Sequence, residues 1–327
     1  SWQKWCGKGN KNLRHFALSL DPMPRKHAGV GLARKIGMDE AVDRLLQAEN
    51  PSGLVVGLDA DCSVSPNYLQ ALSHASMNFP KKEAFSLNFT HPLKGDEFSP
   101  EIYAAITDYE LYLRFYVEAL RWAGHPHAFH CIGSSMAVRA DAYQARGGMN
   151  RRKAGEDFYF LQKFIQEGTL AELNETTVYP APRASHRVPF GTGKAVQTLL
   201  DQDTGQTGFA WESFIWLKNF IHQIPHWYRH DPEIHNHSLT IYLIEKGWLD
   251  KIKEIRSQVK TEAAFVKRFY KWFNGLRVLQ YLHEARKVWP DTSILTSTMH
   301  LFAARKWHLD SPSQLEALLF LRHHQGQ

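Results

Sequence analysis

Apolar and polar positions change their period several times along the first 195 residues of the chain. Residues 13–20 and 54–58 are short apolar runs of strand length, and between them residues 31–49 carry Leu32, Ile36, Ala41, Leu45 and Leu46 at near-helical spacing. Strand, helix and strand in that order predict a β-α-β unit. Ser65 followed by Pro66 supplies a cap and a first-turn proline, so a helix is expected to open there, and residues 84–89 form the next strand. Ser99 and Pro100 repeat the signal at the head of a helix running to residue 122, unusually aromatic with Tyr103, Tyr109, Tyr112, Phe115 and Tyr116. A strand over 135–139, a break at Gly147 and Gly148, a helix over 157–167 closed by Gly168 and a strand over 177–179 complete the pattern. The alternation predicts an α/β fold with a mostly parallel sheet flanked by helices, whose ligands sit at the carboxyl ends of strands.

Strand signals end near residue 195 and helical periods take over. Two parts are therefore expected, an α/β domain over residues 1–195 and an α-helical region over 196–327. Within the second part, residues 246–287 hold eleven Lys or Arg against four acids. Trp248, Phe265, Phe269, Tyr270, Trp272 and Phe273 are interleaved with them. Such a segment is either a face for peripheral contact with an anionic membrane or a bundle whose aromatics pack inward and whose lysines are solvated. The bundle is the commoner outcome of that pattern.

Composition narrows the class. With 43% hydrophobic and 22% charged residues, the 327-residue chain can bury a core of its own, which excludes general disorder. No apolar run approaches the roughly 18 residues that a membrane span needs. Cys6, Cys62 and Cys131 are odd in number and form no CxxC pair, so a reducing, cytoplasmic setting is expected, peripheral to the inner membrane face if the basic segment binds lipid. The net charge of +6 admits anionic partners without choosing among them. The chain opens on Ser1 rather than methionine, and a native amino terminus upstream is expected.

Three elements carry candidate chemistry. Gly57-Leu58-Asp59-Ala60-Asp61 follows the apolar run 54–58, and carboxylates at i and i+2 on an extended chain point to one side, where both can address a hard divalent cation. Gly155-Glu156-Asp157 opens the periodic helix at 157–167, where an acid either complements the helix dipole or serves as a rigidly held general base. His186 follows the strand at 177–179, and a neutral imidazole can complete a metal shell that carboxylates begin. Arg183, Arg187 and Lys194, with Gly191 and Gly193, make a basic segment suited to a lid over an anion or to a plain connection. His125, His127 and His130 cluster at a spacing that suits no regular ligand geometry.

Taken in order, Gly29 to Gly37, Gly57 to Asp61, Gly133 to Arg139, Gly147-Gly148, Gly155-Glu156-Asp157 and Ser185-His186-Arg187 resemble the family 2 glycosyltransferases over roughly residues 13 to 190. The resemblance implies a GT-A, Rossmann-like fold lacking its amino-terminal strand here. It implies an inverting glycosyltransferase of hexosyltransferase type, which moves a sugar from a UDP- or GDP-sugar to a hydroxyl of a glycan, lipid or small acceptor. On it, Asp61, Asp59 and His186 hold Mg²⁺ or Mn²⁺. Asp59, Arg34, Gly133, Ser134 and Arg187 bind the donor, and Asp157 is the catalytic base with Glu156 beside it. Nucleic acid is not an expected partner. The alternative is a non-catalytic sugar-nucleotide or glycan-binding module.

Overall fold

The computed structural model describes residues 16–19, 28–185, 191–202, 205–235 and 237–326. Its α/β part begins with α1 (Val30–Gln47), β1 (Leu54–Gly57), β2 (Cys62–Val64), α2 (Tyr68–Asn78) and β3 (Ala84–Phe89). It continues through α3 (Pro100–Ala123), β4 (Met136–Arg139), α4 (Ala140–Ala145), α5 (Glu156–Ile165) and β5 (Leu170–Pro180). The five strands form one sheet in the order β1-β4-β3-β5-β2.

The expected α/β class holds, but the expected mostly parallel sheet does not. Only the β3–β5 pairing is parallel, while the pairings of β1 with β4, β3 with β4 and β2 with β5 are antiparallel. The cause is α3. A crossover helix lies on the sheet and returns the chain to the end where the previous strand began. The apolar face of α3, including Leu111, Phe115 and Leu120, instead packs among the later helices. The segment 125–135 then brings the chain back so that β4 enters beside β3 in the opposite sense.

The sheet is covered on both sides, which explains the near-continuous burial of β3 and β4. Val55, Ala84, Met136 and Val138 pack against Met38 and Val42 of α1 and Phe160, Leu161 and Phe164 of α5. Phe85, Leu87, Ala137, Leu173 and Val178 pack on the other side against Tyr68, Leu72 and Ala75 of α2. Buried Arg139 fastens α2 to the strand end, donating to the carbonyls of Ser52, Ser76, Phe79 and Lys82 and to the Ser76 hydroxyl.

Two expected boundaries move. Residues 16–19 of the anticipated strand at 13–20 have no regular structure, Phe16 lying under the Arg44 guanidinium at 3.5 Å, and the rest of that run lies outside the described residues. The helix after Ser65-Pro66 starts at Tyr68 because the Ser65 hydroxyl bonds to the Thr177 carbonyl of β5 instead of capping.

Beyond β5 come α6 (Thr192–Asp201), a two-residue β6 (Thr207–Gly208), α7 (Trp211–Gln223), α8 (Ser238–Glu245), α9 (Trp248–Gln258), α10 (Glu262–Trp272) and α11 (Gly275–Ala285). A two-residue β7 (Thr292–Ser293) pairs with β6, and α12 (Ile294–Arg305) and α13 (Gln314–Gln325) end the fold. Trp248, Phe265, Phe269 and Phe273 are buried in one core with Phe214, Phe220, Trp227 and Tyr281, and Tyr270 and Trp272 pack against it. The aromatics of the basic segment thus point inward and leave lysines such as Lys253, Lys260 and Lys267 outside. Among the described residues, no helix is long and apolar enough to cross a membrane.

One buried ionic cluster joins the two parts. Glu110 of α3 accepts from the His91 amide at 2.8 Å and ring Nδ1 at 2.9 Å, from Arg114 Nε at 2.7 Å and from Arg322 Nε of α13 at 2.8 Å. Burial alone would raise this carboxyl, but the His91 hydrogen bond and the arginine charges outweigh it and hold the group well below the usual carboxylate range.

Candidate functional site

A cleft of about 820 Å³ opens beyond the carboxyl ends of β1 and β5, where the amino ends of α1, α5 and α6 converge. Arg34, Asp59, Asp61, Gly133, Ser134, Glu156 and Asp157 all line it. All the residues that the resemblance assigns to the site and that lie within the described residues are therefore brought to one place, whereas Lys194 of the basic segment does not line the cleft. His186 and Arg187 lie outside the described residues. The chain on either side of them is joined by a bond of 2.8 Å from the Ser185 amide to the Gly193 carbonyl, and Ser185 and Gly193 line the cleft.

The cleft is built on bare backbone. A Cβ at Gly31 would stand 2.1 Å from the Arg152 carbonyl oxygen, so glycine lets the start of α1 approach the loop before α5. A Cβ at Gly133 would stand 2.2 Å from Nη1 of Arg34, so glycine lets that guanidinium lie against the chain entering β4. Gly155 caps α5 at φ +68°, a left-handed turn that glycine adopts without strain.

Asp59 and Asp61 do not sit on an extended chain as expected. Strand β1 stops at Gly57 and residues 60 and 61 form a turn, closed by a bond of 3.1 Å from the Cys62 amide to the Asp59 carbonyl. The two carboxylates consequently take separate partners. Asp59 accepts from Nη2 of Arg34 at 2.6 Å, and Asp61 accepts from Nε of Arg183. Nη1 of Arg34 also donates to Glu156, so one guanidinium, only 9% exposed, bridges α1, the turn after β1 and the head of α5. Burial alone would weaken the protonation of Arg34, but Asp59, Glu156 and Asp157 outweigh it and raise its pKa.

Glu156 and Asp157 differ in what they face. Glu156 is buried beneath Arg34 and committed to that pair. Asp157 accepts the Phe158 amide at 2.7 Å and remains at the cleft wall. Burial raises the pKa of both carboxyls; the Asp157 charge raises Glu156 further, while the Phe158 amide, Arg34 and the Gly133 backbone hold Asp157 partly down. A carboxyl raised by burial at a cleft wall has the proton affinity that a general base needs.

Sequence reasoning missed Tyr109, Leu113, Cys62 and Cys131 as lining residues. Tyr109 and Leu113 stand one turn apart on α3, and that spacing was available as a signal within an aromatic helix. Burial pushes the Tyr109 hydroxyl and the Cys131 thiol up, which keeps both neutral beside Asp157. The pairing of Arg183 with Asp61 had no local signal, since 122 residues separate them.

Among the described residues, no three His, Cys, Asp or Glu side chains group as a metal shell. The donor set nevertheless has the right chemistry for a hard dication, two carboxylates in one turn. The charged lining residues are two arginines and four carboxylates, an excess of two negative charges when all are ionised. The histidine trio is a packing feature instead. His125 Nε2 meets the Phe273 carbonyl at 3.0 Å, His130 Nε2 meets Gln325 at 3.2 Å, and His127 packs edge-on against His125. Compared with known proteins, the chain matches no family model, no curated protein and no solved structure.

Proposed function

We propose that this chain is an inverting glycosyltransferase of GT-A type that transfers a sugar from a nucleoside-diphosphate sugar to an acceptor hydroxyl. The observation that carries the reading is the convergence on one cleft of Arg34, Asp59, Asp61, Gly133, Ser134, Glu156 and Asp157, residues spread over more than 120 positions and chosen from their order in the sequence. Asp157 takes the proton of the acceptor hydroxyl, whose oxygen forms a bond to the anomeric carbon as the bond from that carbon to the diphosphate oxygen breaks. One base suffices for a single displacement, and the configuration inverts. Arg34 fixes Asp59 and Glu156, and Glu156 in turn anchors the first turn of α5 that carries Asp157. Asp61 and Asp59, with His186, would hold a Mg²⁺ or Mn²⁺ ion, which supplies positive charge to the departing diphosphate.

A second reading, a non-catalytic sugar-nucleotide or glycan-binding module, is favoured by the arginine pairing of both Asp59 and Asp61. A thermal-shift screen of nucleoside diphosphates and sugar nucleotides with Mn²⁺ separates the two, run on the wild type, Asp61→Ala and Asp157→Asn. The transferase reading expects stabilisation lost in Asp61→Ala but kept in Asp157→Asn, with donor turnover abolished in both. Turnover retained by Asp157→Asn would refute the assigned base. Binding without turnover in the wild type, across donors and acceptors, would select the module.

A further inference from the structure

We propose that Arg183 is an exchangeable counter-ion: it neutralises Asp61 and gives that carboxylate up to a divalent cation, moving its own charge to the diphosphate of the ligand. The inference rests on the reading of the cleft as a metal-assisted diphosphate site. It names a residue whose two partners are alternatives.

The two arginines of the cleft are held very differently. Arg34 is 9% exposed, is gripped by Asp59 and Glu156 together, and lies against Gly133, where a Cβ would collide with it. It cannot leave without unmaking the wall. Arg183 is 49% exposed, and among the described residues its guanidinium pairs with Asp61 alone, through Nε. A half-exposed pair of this kind contributes little and exchanges readily. The position of Arg183 is fixed by its backbone. Its amide donates to the Ala181 carbonyl at 2.9 Å just after β5, and two residues later Ser185 is tied to Gly193. The side chain can therefore change partner while its anchor stays at the cleft mouth.

Charge gives the direction of the exchange. Two arginines against four carboxylates leave the cleft at −2 with all groups ionised, so a diphosphate alone is repelled. A dication at Asp61 cancels that excess and also competes with Arg183 for the same oxygens. The displaced guanidinium then offers a planar pair of donors, the geometry in which arginine grips phosphate oxygens.

The test measures Mn²⁺ alone and inorganic pyrophosphate separately, on the wild type, Arg183→Ala, Arg183→Lys and Asp61→Ala. A water-proton relaxation titration of Mn²⁺ without any anion is expected to show Arg183→Ala binding about two- to five-fold tighter than wild type, because a competitor is gone. Calorimetry of pyrophosphate at saturating Mn²⁺ is expected to show the same variant binding about ten-fold weaker, with Arg183→Lys partly restored. Damage to the fold would weaken both ligands, so opposite signs are diagnostic. Equal or weaker Mn²⁺ binding by Arg183→Ala, with Asp61→Ala still abolishing it, would overturn the exchange and leave the cleft reading standing. Mn²⁺ binding that Asp61→Ala leaves intact would overturn the cleft reading and this proposal with it.

Discussion

Lowering the pH from 7.5 to 5 should remove a large share of this protein's stability, through histidines rather than carboxylates. His125 and His130 are held down to a pKa of about 3 by burial, and His127 to about 4 by the same cause. All three are neutral in the folded chain at any ordinary pH, whereas in the unfolded chain they titrate near 6.5. Above 6.5 neither state binds these protons and the full stability is present. As the pH falls below 6.5 the unfolded chain takes up protons that the folded chain refuses, and stability is lost until the folded values are reached. Each histidine then costs about 1.4 kcal/mol per pH unit, or about 2 kcal/mol at pH 5. The three together approach about 6 kcal/mol as an upper figure, comparable with the whole stability of a typical domain. His127 isolates the effect, because it is 9% exposed and its Nδ1 is buried with no hydrogen-bond partner among the described residues. Urea unfolding of the wild type and His127→Leu at pH 7.5, 6.0 and 5.0 would measure it. The variant should lose about 2 kcal/mol less than the wild type between pH 7.5 and 5. Parallel curves for the two proteins, or a wild type whose stability is flat over that window, would refute the argument.

Two further substitutions test the scaffold. Gly133→Ala drives a methyl group to 2.2 Å from Nη1 of Arg34, which must then leave Asp59 and Glu156. A loss of about 1–3 kcal/mol by thermal or urea unfolding is expected, together with loss of any nucleotide-induced stabilisation. Arg322→Ala takes a cation from buried Glu110 but leaves Arg114 and His91 in place. The cost by urea unfolding should be about 2–3 kcal/mol, below the ~3–5 kcal/mol of a fully orphaned buried charge, and Glu110→Gln in the same background should recover part of it.

What the sequence revealed and what it hid separate along physical lines. Strand β3 was legible to its ends because Ala84, Phe85, Leu87 and Phe89 make residues 84–89 a short, mostly apolar run, as burial on both faces of a central strand requires. Strand β5 was legible only at 177–179, although it spans Leu170–Pro180. Its middle holds Asn174 and Glu175, where the pairing with β3 slips between Leu87 and Asn88 and the Asn174 amide bonds to the Gln325 carbonyl of α13. Polar residues there serve a tertiary contact, and no local period reports it. Strand direction was hidden for a similar reason, since it depends on where α3 packs. The membership of the cleft was largely legible, because glycines and acids at strand ends leave a local signature. The ion pairs inside it were not. Arg34 is 122 positions from Glu156 and Arg183 is 122 positions from Asp61, and charge complementarity at that range has no periodicity.

Helix α3 shows why the helical region bears on the cleft without lining most of it. Tyr109 and Leu113 look into the cleft beside Asp157, while Glu110 and Arg114, each one residue further along the same helix, are locked to α13. Leu111, Phe115 and Leu120 of that helix share one core with Phe214, Phe265 and Leu318. A rigid helix cannot satisfy those neighbours independently, so the position of the Tyr109 wall is set by how α13 and the aromatic core seat α3. The buried charges make that seating specific, since Arg114 reaches the Phe89 carbonyl and Gln325 only in one register. The helices after residue 195 therefore act on the cleft through geometry: they hold one wall of it at a fixed distance from the carboxylates that the turn after β1 and the head of α5 present.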